Sequence, residues 1–290
     1  MSRFLNFTKT IVPVAILGVT VGCGGGDAPA GSGGSGGGDA ATAEMPFDVS
    51  TAGNISGTVM FEGTPPPPEV LDMTSEPDCA EQYDGDPTQS LVTVADGQLS
   101  NVFVYVKEGL EGMDFPVPAG SPVIDQAGCE YIPQVLGVMT DQPLTIRNSD
   151  GLLHNINASP TANRPFNVSQ PVNMDTERNF PAPEIMVPIE CNVHGWMSGY
   201  IGVVAHPYHS VTSMAGSFDL SQLPPGEYVI EAWHSQLGTQ EQNVTVTTGQ
   251  TTEVSFTFSE AMAGAKVPLG KPFDPHEHGP AQDGIGRVSE

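Results

Sequence analysis

The stretch "ECNVHGWM", Glu190 to Met197, sets a thiol, an imidazole and a thioether three residues apart, at Cys191, His194 and Met197. A second imidazole, His154, stands 37 residues before Cys191, next to last in "NSDGLLHN" (148–155). Two imidazoles, one thiolate and one thioether make a donor set for copper. Soft sulfur favours Cu(I), imidazole satisfies Cu(II), and two histidines and a cysteine in a plane with a weak axial methionine suit transfer of one electron at a time. Other chemistries fail on residue types. A structural zinc site takes four strong ligands, usually in paired clusters, and only three strong ligands are present. A binuclear copper centre takes a pair of cysteines three apart, and Cys191 has no such partner. A Cys–His hydrolase needs its nucleophile and base to meet across a cleft, not on one tight loop. Taken singly, Cys191 reads as a buried thiol, His154 as a turn histidine and Met197 as core packing. The combination separates a metal site from these readings.

Loops that hold such residues must be fixed by a rigid frame, and the rest of the chain reads as β-sheet. Short β-rich runs alternate with turn signals, and no long segment of period 3.6 interrupts them. "ISGTVMFEG" (55–63) alternates apolar and polar residues, and "PPPP" (65–68) stops it. "LVTVADGQLSNVFVYVKEG" (91–109) reads as two strands around Asp96-Gly97, a strong hairpin signal. "QPLTIRNSD" and "GYIGVVAH" are strands on either side of the candidate ligands. "GSFDL", "GEYVIEAWH", "NVTVTTG" and "TTEVSFTF" close the pattern. With 34 glycines and 27 prolines, the expected fold class is all-β, built of sandwiches.

Two resemblances follow from these motifs. "Y-x-P…V…P-L-T-I-x-N-x-D…H-N", the Cys-x2-His-x2-Met loop and the following "GYIGVV" strand make residues 121–206 similar to a cupredoxin, a blue copper protein of the amicyanin or plastocyanin type. That resemblance implies a Greek-key β-sandwich holding one copper ion. His154, Cys191 and His194 would be equatorial ligands and Met197 the axial one. It gives Asn155 the role of tying the two ligand loops together. The departures are Gly195 and Trp196, where such loops usually carry Pro and Phe, and Thr140–Pro143, where a glycine-bearing turn is usual. "GSFDLSQLPPGEYVIEA", with the strands before and after it, resembles the carboxypeptidase regulatory-like, or transthyretin-like, β-sandwich. The expected organisation is therefore a discontinuous sandwich at 54–120 and 207–259 with the cupredoxin inserted at 121–206. Insertion at a sandwich loop is tolerated because the two ends lie close together.

The termini concern address. Arg3 and Lys9 precede "IVPVAILGVTVG" (11–22), an apolar run too short to span a bilayer, which takes roughly 20 residues. Residues 1–22 read as a signal peptide. Gly22-Cys23 followed by glycine-rich chain resembles a bacterial lipoprotein signal, with Cys23 lipidated, 23–53 a flexible tether and the cell envelope, facing the periplasm, as the location. Residues 260–290, with His276 and His278, read as a loose tail. Cleavage at Cys23 leaves 34 acids against 7 bases, a net charge of −27, which excludes nucleic acid as a partner. With Cys23 and Cys191 assigned, Cys79 and Cys129 are expected to pair in an oxidising compartment, closing a loop of about 50 residues worth roughly 3–4 kcal/mol. His206, His209 and His234 are expected to be structural. The expected function is an envelope-anchored copper protein carrying electrons between redox partners, one of them basic, with a copper-delivery module as the alternative. No enzyme and no small-molecule substrate are expected, because no acid–base pair stands out and a saturated copper site has no open position. Partner docking is expected beside His194, whose ring edge should reach the surface with Trp196 as an apolar collar.

Overall fold

The computed structural model describes residues 44–264. The expected signal peptide, Cys23, most of the expected tether and His276 and His278 lie outside them. Within 44–264 the chain forms two β-sandwiches, and the fold class is all-β.

In the first sandwich, Gly53–Glu62 is the central strand of one sheet. It runs antiparallel to Ser217–Leu223, parallel to Thr251–Ser259, and touches Gln98–Leu99. The opposite sheet orders His209–Val211, Phe103–Glu108, Gly226–His234 and Gly238–Val246. Period-two patterning directs the packing. Along Thr251–Ser259, Val254, Phe256 and Phe258 are buried while Glu253, Ser255 and Thr257 face water. With Ile55, Val59, Leu99, Val104 and Ile230 they form one apolar core.

The hairpin expected at 91–109 is shorter than its sequence suggests. Asp96 and Gly97 both take left-handed backbone, φ 51° and 78°, as the favoured two-residue turn requires. Only Val94–Ala95 and Gln98–Leu99 pair around it. Asn101, at φ 59°, then turns the chain, and Phe103–Glu108 joins the other sheet. The run Phe103–Val106 is buried at four successive residues because it has core on both faces. Val104 and Val106 enter the first core. Phe103 and Tyr105 enter a seam with Val135, Met186, Tyr200, Val204 and Trp233 between the sandwiches. That seam is close-packed: a Cβ added at Gly202 would lie 2.7 Å from the Phe103 ring.

In the second sandwich, one sheet orders Met174–Arg178, Leu144–Asn148, Val123–Ala127 and Glu130–Ile132. The other orders Phe166–Gln170, His154–Ala158, Glu184–Glu190, Ser198–Val204 and Val135–Met139. Ile124, Leu144, Ile146, Ile156, Val187, Ile189 and Ile201 fill the space between them. His154–Ala158 pairs antiparallel with Glu184–Glu190, which pairs antiparallel with Ser198–Val204. The start of the first, the end of the second and the start of the third therefore meet at one end of one sheet. These are the positions of His154, Cys191 and Met197.

The chain between Glu62 and Val94 makes an excursion. Glu69–Val70 pairs with Thr88–Gln89, and a short helix, Pro77–Ala80, lies between them. Although these residues fall within the expected 54–120 block, Met73 and Cys79 are buried in the second sandwich's core.

Candidate metal centre

The loop from Cys191 to Met197 is a tight connection closed by its own backbone. Cys191 N–H donates to the Met197 carbonyl at 3.1 Å, and Met197 N–H to the His194 carbonyl at 2.9 Å. This closure holds both sulfur residues and the imidazole against the end of the core. Asn155 fastens the loop to its neighbour. Its Oδ1 accepts the Asn192 N–H at 2.8 Å and lies 3.4 Å from Cys191 Sγ, and its Nδ2 donates to Asn192 Oδ1 at 2.8 Å.

The donor atoms converge. His154 Nδ1 and His194 Nδ1 stand 2.9 Å apart, and Cys191 Sγ is 3.7 Å from His194 Nδ1. One donor atom from each of the three residues lies within 4.8 Å of the others. Cys191 is a free thiol. His154, His194, Cys191 and Met197 are 0%, 2%, 3% and 1% exposed, and Met197 shares the core cluster of Cys191. One ion bound about 2.0–2.3 Å from each nitrogen and sulfur spans separations of 2.9 and 3.7 Å. The residues present fit a single copper ion.

The electrostatics favour the ligating forms of Cys191 and His194, whereas His154 holds a second proton that a metal must displace. Burial alone would raise the Cys191 thiol, but the hydrogen bond from His154 and the backbone N–H groups around it outweigh burial and lower it. Burial opposes charge on His154 as well, yet Asp150 and Cys191 hold that ring up at about 9. His194 is lowered, first by burial and then by repulsion from His154. The motif "NSDGLLHN" by itself implies no role for Asp150. Asp150 stands four residues before His154 in the same turn, with Oδ2 2.8 Å from His154 Nε2. A carboxylate one turn before a candidate ligand was the signal that could have found it.

Cys79 and Cys129 form a disulfide, and its place corrects the expected electron exit. His194 presents no ring edge to solvent. Its Nε2 faces Glu76 Oε2 at 3.8 Å, and both disulfide sulfurs lie within 4.8 Å of one of its ring nitrogens. The excursion between Glu69 and Gln89 caps the centre, and the disulfide fastens it there. Trp196 lies beside His194, ring centroids 5.3 Å apart. It is half-buried, with its indole N–H donating to the Cys129 carbonyl at 3.0 Å, so only part of the ring is free to form a collar. The cap is a long-range contact that the local sequence does not display.

Comparison with known proteins finds one matching family profile and several similar solved structures. The profile of the carboxypeptidase regulatory-like domain matches residues 202–259. Among solved structures, the chain is similar to a copper-containing nitrite reductase from Thermus scotoductus SA-01, at 17% identity and TM-score 0.28 over 31% of this chain. It spans 23% of that enzyme's length. It is similar to the Cu(I) form of an amicyanin mutant, at 22% identity and TM-score 0.26 over 30% of this chain and 85% of that one. A purple cupredoxin from Nitrosopumilus maritimus matches at 22% identity and TM-score 0.25 over 29% of this chain and 99% of that one. No curated protein matches the chain.

Proposed function

We propose that this chain is an exported, membrane-anchored mononuclear copper protein that carries single electrons between redox partners, and that it is not an enzyme. The observation that carries the reading is the convergence of His154 Nδ1, His194 Nδ1 and Cys191 Sγ at the dry end of a sandwich core. Copper held there supplies a one-electron couple. The chain's own residues do the rest. His154, Cys191 and His194 would hold the ion, with Met197 beside Cys191 as a further sulfur donor. The apolar core and the cap exclude water. Asn155 and the closed loop keep the donors in place whichever oxidation state is present, which is what rapid electron exchange needs. Four protein donors would fill the coordination of the metal, and this supports a carrier over a catalyst. Delivery of copper to another protein is the weaker reading, because a donor must release its ion and His194 sits behind a disulfide-fastened segment.

Lipid on Cys23 would hold the domain at the periplasmic face of the envelope. The net charge of −27 left by cleavage at Cys23, 34 acids against 7 bases, would steer it toward a basic redox partner and act mainly on the encounter rate. Loading the purified protein with copper, dialysing it and measuring metal per chain tests the reading. One tightly held ion in the wild type and none in Cys191→Ser is the expected result. Undiminished binding in Cys191→Ser would overturn the assigned site.

A further inference from the structure

We propose that Asp150 is a positioning residue that fixes His154 with Nδ1 turned toward the metal and, through its charge behind the ring, lowers the reduction potential of the centre. This rests on the copper reading above and adds to it the residue that makes the two histidines unequal.

An imidazole ligates through the nitrogen that lacks a proton, so the other nitrogen must carry one and needs an acceptor. Asp150 is that acceptor for His154. Its Oδ2 lies 2.8 Å from Nε2, and an ionised carboxylate only accepts. The proton is therefore placed on Nε2, and the Nδ1 lone pair is left facing His194 and Cys191.

The carboxylate cannot turn away. Gly128 N–H donates to Oδ1 at 2.6 Å and Cys129 N–H to Oδ2 at 2.8 Å. Asp150 N–H donates in turn to Asn148 Oδ1 at 3.1 Å, and the Asp150 side chain is 3% exposed. Oδ2 thus takes both the ligand ring and the backbone of Cys129, which joins His154 to the turn that anchors the cap. No Lys or Arg among the described residues pairs with Asp150, so no side-chain cation other than the ring itself offsets its charge. His194 has no equivalent. Its Nε2 is 3.8 Å from Glu76 Oε2, beyond hydrogen-bond range, and the Glu76 side chain is 39% exposed. A fixed negative charge behind His154 makes that ring the stronger donor. It favours the more positive metal state, and so lowers the potential.

Asp150→Asn keeps the shape and removes the charge. Loss of such a partner typically costs 10–100-fold in metal affinity, and here the loss should fall mainly on Cu(II). A tenfold change in the Cu(II)/Cu(I) binding ratio raises the potential by about 59 mV for a one-electron couple, so a rise of at least that size is expected. The Cys191-dependent visible band should remain. An Asp150→Asn potential unchanged from a coloured wild type overturns the proposal and leaves the copper reading intact, whereas a colourless wild type overturns the copper reading itself. Should the variant fail to fold, nitrogen-15 NMR of the wild-type Cu(I) form decides. A proton on His154 Nε2, protected from exchange and strongly deshielded, is expected. An unprotonated Nε2 overturns the assignment.

Discussion

The two sandwiches hold their histidines in different ways. In and around the first, His206 Nε2 meets the Val106 carbonyl at 2.8 Å, His234 Nδ1 accepts the Gln236 N–H at 3.1 Å, and His209 stacks on Phe103. Burial pushes all three down to about 4, and each is a neutral ring packed as part of the fold. At the end of the second, His154 and His194 turn nitrogens toward each other and toward a free thiol. Every cluster of potential ligating side chains found among the described residues lies at this end, and none includes His206, His209 or His234. Burial of a histidine therefore carries little information about metal, and convergence of its nitrogen with other donors carries much.

The largest way to break this contrast is Cys191→Ser. A hydroxyl is a harder and weaker donor than a thiolate, so copper retention should fall to background while the thermal transition of the fold persists. Calorimetry beside metal analysis reads both, and a protein that loses copper only by unfolding would void the comparison. Next is removal of the latch in Cys79→Ala/Cys129→Ala. Loss of the cross-link should cost roughly 3–4 kcal/mol. It should also speed electron exchange with a small inorganic oxidant, because His194 is freed from its cap. An exchange rate equal to that of the wild type would mean that the cap does not cover the route.

The legibility of the sequence follows the same division. The strand at 144–148 and the strands within 217–259 could be read because apolar residues recur in them with the period of the sheet, and Ser198–Val204 because a short run buried at six successive residues reads as an interior strand. The four candidate ligands could be read because three sit on one short loop and the fourth on a marked turn. The 91–109 hairpin is shorter than it reads because Phe103–Val106, buried on both faces, looks like a simple continuation, and the left-handed Asn101 diverts it. The cap was half visible. Pairing Cys79 with Cys129 tied the segment to the second sandwich, but nothing local could place Glu76 over His194, since that contact spans 118 positions. Asp150 was in plain view and lacked only the knowledge that its turn folds back on the His154 ring.

Acid tests the neutral histidines. Unfolded histidines take up protons near 6.5, whereas His206, His209 and His234 in the folded chain do so only near 4. Unfolding therefore takes up protons between those values. Stability at these sites is full above about pH 6.5 and is lost as the pH falls toward 4. Denaturant midpoints followed from pH 7 to 4 should decline, and replacing His209 by Gln should flatten the decline. A slope unaffected by His209→Gln would remove that ring from the account. The smallest effect is expected from Met197→Leu. An axial thioether is a long, weak bond, so copper should stay bound and the potential should rise. Complete loss of copper would make Met197 a strong ligand and favour delivery over electron transfer.

The most direct test of the central claim is the visible absorption spectrum of the copper-loaded wild-type protein, oxidised and then reduced. A cysteine thiolate bound to Cu(II) beside two imidazoles gives an intense charge-transfer band, and the account predicts that band in the oxidised protein and its disappearance on adding one electron per chain. A Cu(II)-loaded protein showing only faint absorption would contradict it, because Cys191 would then not be a ligand.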